Sequence, residues 1–288
     1  MEVKVSICCI TYNHVKYIRN CVDGFLMQKT NFPFEIIIND DASTDGTTDI
    51  IRDYHSKFPD LFVPVYHEEN EYSRGVRGIM ARNTFPIARG KYLALCEGDD
   101  FWTDPLKLQR QVDFLENNSG YSLSTENSMF VNHLNKTEYL FSNDSDRDIE
   151  IVELLTSRKF HTASVVMKKE LLELQDYFIT PVGDTYLFIA LAKKGKVHFK
   201  NIVSSVYNRH EKSVTEMDKT GWPYKIEKSN LLIDKFTSFK YSTILKTNIA
   251  RAFFSSFKYN LKRGKIKEAA LSILKVFKYN YRVLLKLR

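Results

Sequence analysis

Polar and acidic side chains stand just past the ends of three apolar runs. Tyr12 and Asn13 follow the run from Lys4 to Ile10, Asp40 and Asp41 follow the run from Phe34 to Ile38, and Glu97, Asp99 and Asp100 follow the run from Lys91 to Cys96. Carboxylates gathered in one place repel one another and raise each other's pKa values unless a cation joins them. Hard oxygen donors in such a cluster suit Mg²⁺ or Mn²⁺, an ion that keeps several waters and is completed by substrate phosphates. Gly98, between two of the acids, has no Cβ and would leave room for a phosphate or sugar against the backbone.

The elements that must position these residues follow from hydrophobic periodicity. Ile18, Cys21, Val22, Phe25 and Leu26 recur at helical spacing after the first run. Ile50, Ile51, Tyr54 and Phe58 do so after the second, behind Ser43, Thr44 and Asp45 as capping residues. Residues 61–66 predict a third strand, with Pro64 arguing for an edge or a bulge, and Ile79 to Ala88 a short helix. The apolar run ending at Cys96 is a fourth strand, and Leu108, Val112 and Leu115 mark the next helix. Alternating strands and helices predict an α/β fold, a Rossmann-like, mainly parallel sheet flanked by helices, with ligands bound beyond the carboxyl ends of the strands. The three acidic and polar loops would then meet at one edge.

Other readings of the motifs fail. Asp41, Ser43, Asp45 and Gly46 imitate an EF-hand loop, but Arg52 stands where a bidentate Glu is required. No dinucleotide fingerprint, P-loop or nucleophile elbow occurs. Cys8, Cys9, Cys21 and Cys96 show no metal spacing and are expected as buried thiols, with Cys8 and Cys9 on opposite faces of a strand. At 43% apolar and 27% charged residues over 288 positions, the composition is that of a folded chain. With no leader at Met1 to Lys4 and no long uncharged apolar run, a cytoplasmic protein is expected.

The motifs in order resemble those of inverting family 2 glycosyltransferases with the GT-A fold. The resemblance is carried by VSICCITYN (Val5 to Asn13), INDDASTDGT (Ile38 to Thr47), ARNTFPIARGKY (Ala81 to Tyr92) and EGDD (Glu97 to Asp100). Later and more loosely, GDTYLF (Gly183 to Phe188) and Tyr207 to His210 with Ser213 are similar to the family's acid-bearing helix start and its R-x-x-H-x-x-S segment. The resemblance implies a nucleotide-sugar donor, most often of UDP, a divalent Mn²⁺ or Mg²⁺, and transfer with inversion. It puts Thr11, Tyr12, Asn13, Asp40, Asp41, Arg82, Asn83, Glu97, Gly98 and Asp100 around the nucleotide sugar, Tyr12 against the base and Asp41 on its polar edge. It makes Asp99 and His210 metal ligands. Asp184 is the expected general base, since an attacking hydroxyl must lose its proton on the face of the sugar opposite the leaving diphosphate. His161 is a weaker candidate, and Trp102 fits the core better than a sugar pocket. The alternative is a non-catalytic module of the same fold that binds nucleotide sugar or anchors partners at a membrane.

Charge divides the chain further. Thirteen of the 42 basic residues but only one of the 35 acidic ones, Glu268, lie from Lys240 onward. There Leu245, Ile249, Phe253, Phe257 and Leu261, then Ile266, Ala269, Ala270, Ile273, Leu274, Phe277 and Tyr281, predict two amphipathic helices parted by Gly264. Basic amphipathic helices of this kind can lie on an anionic membrane, here the inner face of the plasma membrane, beside a glycan or lipid-linked acceptor; the competing reading packs them on the body. No nucleic-acid-binding signature accompanies the charge. The expected units are a nucleotide-sugar-binding half (1–119), an acceptor half (120–224) with more irregular structure and a mobile polar loop at 143–148, and a helical basic extension (225–288). Sugar, acceptor and oligomeric state are not legible.

Overall fold

The computed structural model describes residues 2–173, 177–211, 213 and 221–280. Ser213 is included, but residues 281–288 of the basic tail, Tyr281 among them, lie outside this range.

Four strands form as the periodicity predicts: β1 (Val5–Thr11), β2 (Phe34–Asp40), β3 (Phe62–Tyr66) and β4 (Tyr92–Glu97). They lie side by side in the order β3-β2-β1-β4, all parallel, with β3 and its Pro64 at the sheet edge. A proline is tolerated there because an edge strand has a side that needs no donor. The helices α1 (Ile18–Leu26), α2 (Thr47–Lys57) and α3 (Ile79–Asn83) connect them, and α4 (Lys107–Asn117) follows the short strand β5 (Phe101–Trp102). Helix α3 stops short of the expected Ala88, because Pro86 has no amide hydrogen to give and biases Phe85 away from helical backbone.

The sheet continues through β9 (Val166–Lys168), which runs antiparallel, to β6 (Tyr121–Asn132), β10 (Lys196–Arg209) and β5. The expectation of irregular structure beyond residue 120 is therefore corrected: β6 and β10 are long strands paired in parallel, with register shifts near Lys200 and Val203. Their signal is hidden because residues 124–128 of β6 are polar yet buried. Glu126 meets Arg110 at 2.6 Å, and Ser128 meets Ser205 at 2.7 Å. The polar run at 143–148, expected as mobile, is fastened. Strand β8 (Arg147–Ile149) pairs with β10, and Arg147 bridges Asp144 and Glu153. Strand β7 (Thr137–Leu140) pairs with β6.

Two apolar layers cover the sheet. Cys9, Cys96, Ile36 and Ile38 face α1, α2 and α4, while Cys8, Leu95 and Ile37 face the opposite layer, with α5 (Ile151–Thr156) and α6 (Gly183–Ala192). The adjacent cysteines thus point to opposite faces, and all four thiols are buried. Among the described residues three helices follow: α7 (Trp222–Phe236), α8 (Ser242–Lys262) and α9 (Ile266–Asn280), the last two parted by Gly264 with φ at 70°. Helix α8 buries Leu245, Ile249 and Phe253 and packs on α7 and α5, and α9 packs on α8 through Ala269, Ser272 and Val276. Ile266, Leu271, Leu274 and Phe277 remain exposed. Among the described residues, no helix is long and apolar enough to cross a membrane.

Candidate active site

Parallel pairing brings the strand ends together. Thr11 is in register with Asp40, and Ile10 with Glu97, so the polar loops after β1, β2 and β4 meet at one edge. Asp41 is tied in by its amide, which donates to the Thr11 carbonyl at 3.0 Å, and Gly98 by its own, which donates to Ile10 at 2.8 Å.

Around β1 and β2 most polar side chains hold loops. The Asp40 carboxylate accepts from Ser43 and Thr48. Asn13, at a left-handed φ of 56°, accepts the Thr44 amide at 2.8 Å and donates its own amide to Ser43. The Asp41 carboxylate accepts the amides of Glu71 (2.7 Å) and Tyr72 (3.1 Å), clasping the loop after β3. Asn83 extends that clasp by donating to Glu71 at 2.8 Å. Arg82 lies 4.2 Å over the Phe178 ring and donates to the Arg77 carbonyl; no contact among the described residues joins it to the acids. Tyr12 stands apart, with 43% of its surface exposed at this edge.

The missing Cβ at Gly98 serves packing and not ligand access. A Cβ there would lie 2.7 Å from the Thr11 side chain and 3.2 Å from His14 Nδ1, so protein already fills that space. Trp102 is in the core, donating its indole N–H to the Ala163 carbonyl at 2.7 Å.

Two donor sets lie side by side beyond β4. In the first, Asp99 Oδ2 is 3.0 Å from His210 Nε2 and 3.7 Å from His14 Nε2. In the second, ligand atoms of Glu97, Asp100 and His161 all lie within 4.8 Å of one another. The second set is the more enclosed. Asp100 is 1% exposed and accepts the Asn208 amide at 2.8 Å, and His161 Nδ1 accepts the Ala163 amide. The Asp99 set is more open, with 16% of the Asp99 side chain reachable. Asn208 also donates to the Asp99 carbonyl at 2.7 Å, so β10 locks this loop while carrying His210 at its end. His210 is fixed in turn by reciprocal bonds with Ser213. Sequence reasoning passed over His14, although it follows Asn13 directly.

The electrostatics match a site made for added charge. Burial, and then Asp99, push the Glu97 carboxyl up to about 8, and Glu97 Oε2 is buried without a partner. Burial and the same neighbours raise Asp100 well above the usual carboxylate range. Burial lowers His14, which leaves the neutral imidazole a metal requires. The carboxylates of Asp99, Glu97 and Asp100 are hard donors of the kind Mn²⁺ or Mg²⁺ takes, and the imidazoles beside Asp99 favour Mn²⁺ over Mg²⁺.

Asp184 joins this group across the chain. It lies in the first turn of α6, where Oδ1 accepts the Thr185 amide, and Oδ2 pairs with Arg158 at 2.5 Å. Both Asp184 and Arg158 are near enough to Glu97 to act on its proton affinity, in opposite directions. Arg158, another residue absent from the expectations, sits between the acids and α6; two positions past the end of α5, it had no motif to mark it.

Comparison with known proteins places the chain in a family and a fold. An uncharacterized protein of Mycobacterium tuberculosis is 37% identical over 211 residues, which cover 72% of this chain and 59% of that protein. The chain thus spans about three-fifths of the length of those curated relatives. The UDP-Glc:alpha-D-GlcNAc-diphosphoundecaprenol beta-1,3-glucosyltransferase WfaP of Escherichia coli is 29% identical over 217 residues, covering 73% of this chain and 79% of that one. Among solved structures, S. aureus TarS 1-349 in complex with UDP-GlcNAc superposes with a TM-score of 0.61 at 13% identity, covering 96% of this chain and 92% of that one. The mannosyltransferase PcManGT of Pyrobaculum calidifontis, in complex with GDP-Man and Mn²⁺, gives 0.58 at 14% identity, covering 100% and 89%. These likenesses bear on the fold, which is GT-A. The family model for glycosyl transferase family 2 matches residues 6–162, more than half of the sequence, and the chain belongs to that family.

Proposed function

We propose that the protein transfers a sugar from a nucleoside-diphosphate donor, a UDP-sugar in the first instance, to a hydroxyl of a glycan or lipid-linked acceptor, with inversion. In this reading residues 1–119 bind the donor, 120–224 receive the acceptor, and 225–288 are a helical extension. The observation that carries it is that the Asp99–His210 pair, at the ends of β4 and β10, and the Asp184–Arg158 pair of α6 both lie close enough to Glu97 to act on its charge. WfaP, by its name, and the UDP-GlcNAc complex of TarS support donor and acceptor classes of this kind.

The exposed ring of Tyr12 offers a face for the base. Asp41 keeps acceptor capacity beyond its two amide bonds for the base's polar edge. Asp99 and His210 would hold Mn²⁺ or Mg²⁺, with His14 beside them. Bound there, the ion would supply the positive charge that a departing diphosphate needs. Asp184 accepts the proton of the attacking hydroxyl, with Arg158 fixing the orientation of its carboxylate. The exposed apolar face of α9, with lysines around it, would rest on an anionic membrane surface.

Calorimetric titration of UDP, GDP, CDP and dTDP, with and without Mn²⁺, tests the donor site. Metal-dependent binding of one nucleotide, lost in Asp99→Ala, is the expected result. Absence of any binding by a folded protein would favour the non-catalytic module. Asp184→Asn should keep donor binding and lose transfer by at least about a hundredfold, the low end for a general base; persisting transfer would remove Asp184 from that role.

A further inference from the structure

A cleft of about 590 Å³ opens beside Thr185, the neighbour of Asp184, between the end of α5 and helices α7 and α8. That volume is in the range of sites which enclose a small organic ligand. Its lining is chemically one-sided. Arg158, Arg209 and Arg251 stand on its walls, and no Asp or Glu does so among the described residues. Trp222 and Tyr259 add flat aromatic surface, and serine and asparagine side chains add hydrogen-bonding groups.

The arginines are not equivalent. Arg158 is held by Asp184, whereas Arg251 is exposed on α8 and pairs with no carboxylate among the described residues. A guanidinium in a cleft without acids is matched by a phosphate oxygen pair, which it can bind through two parallel N–H bonds. The same α8–α9 hairpin exposes Leu261, Ile266, Leu274 and Phe277, with Lys262, Lys265 and Lys278 near them in sequence. Helix α8, which carries Arg251, is thus the helix on which the exposed apolar face of α9 is mounted.

We propose that this cleft is the acceptor subsite and that Arg251 recognises the diphosphate of a lipid-linked sugar, leaving the sugar hydroxyl toward Asp184. The assignment rests on the glycosyltransferase reading above and adds the acceptor's chemical class and the residue that selects it. The basic extension becomes a wall of the site as well as a surface beside it.

Calorimetric titration of farnesyl diphosphate into the full chain, with UDP and Mn²⁺ saturating in cell and syringe, tests this directly. Binding is expected in the presence of UDP, weakened about tenfold or more in Arg251→Gln and partly kept in Arg251→Lys, with UDP affinity equal in all three. Equal affinity for farnesyl diphosphate in the original protein and Arg251→Gln would overturn the proposal. So would binding that UDP abolishes, which would assign the probe to the donor pocket. Preference for a glycerol phosphate oligomer over farnesyl diphosphate would overturn the lipid carrier. Failure of UDP itself to bind would instead defeat the glycosyltransferase reading, and the acceptor subsite with it.

Discussion

Gly98 lies between two acids of the site, yet its backbone is pressed against protein. Thr11 occupies the place of a Cβ at 2.7 Å, a distance real side chains do not tolerate, and the crowding involves β1 and not a flexible tip. Gly98→Ala should therefore destabilise the fold by about 1–3 kcal/mol, the usual cost of overpacking. Gly120→Ala, where the added carbon meets nothing within 4 Å, should be near neutral. Urea unfolding of the two variants checks this, and equal midpoints would show that the loop moves aside freely. The same residue shows where sequence reading falls short: the E-G-D-D string marks the place, but the reason for its glycine is contact with a strand more than eighty residues earlier. His14 and Arg158 were missed for a like cause. Neither has a spacing that singles it out, and each acquires a role only from what folding puts beside it.

Helix α4 carries a buried cation. Lys107 is fully enclosed, donating to Gln111 at 2.7 Å, with its ammonium 4.5 Å from the Trp102 ring. Burial lowers its pKa from 10.5 to about 8, against the opposing pull of Glu126. Below pH 8 both folded and unfolded chains hold the proton, and the burial cost is present in full. Between pH 8 and 10.5 the unfolded chain binds the proton that the folded chain has released, so this contribution to stability rises with pH. The rise amounts to no more than about 3.5 kcal/mol. Unfolding free energies at pH 7.5 and 9.5 should show a more positive slope for the original chain than for Lys107→Met, and parallel slopes would refute the assignment. Among the elements, β1, β2, β4, α1 and α2 were legible because each is apolar in the period of its own structure. Strands β6 and β10 were not, since buried Ser, Thr, Asn and Glu side chains satisfied by Arg110, Ser164 and Ser205 look like loop in one dimension.

For the whole molecule, the question is how the basic extension sits. Its apolar stripe is divided: Leu245, Ile249 and Phe253 pack inward, as the reading that packs the helices on the body expects, while Ile266, Leu271, Leu274 and Phe277 face out and leave the membrane reading to be tested. Exchanging Leu271, Leu274 and Phe277 for Ser should reduce sedimentation with vesicles containing phosphatidylglycerol several-fold and leave UDP binding unchanged. Undiminished sedimentation would exclude this face as the membrane contact. The sequence by itself determined the repeating strand–helix order, the meeting of acids at the strand ends, the family and the two tail helices, because local periodicity and short motifs carry that information along the chain. Tertiary structure alone decided that His14 joins the Asp99–His210 pair, that Arg158 and Asp184 act on Glu97, and that Arg251 lines a cleft beside α6. Those partners lie up to 111 residues apart, and the forces between them depend on distance and burial, which no order of letters contains.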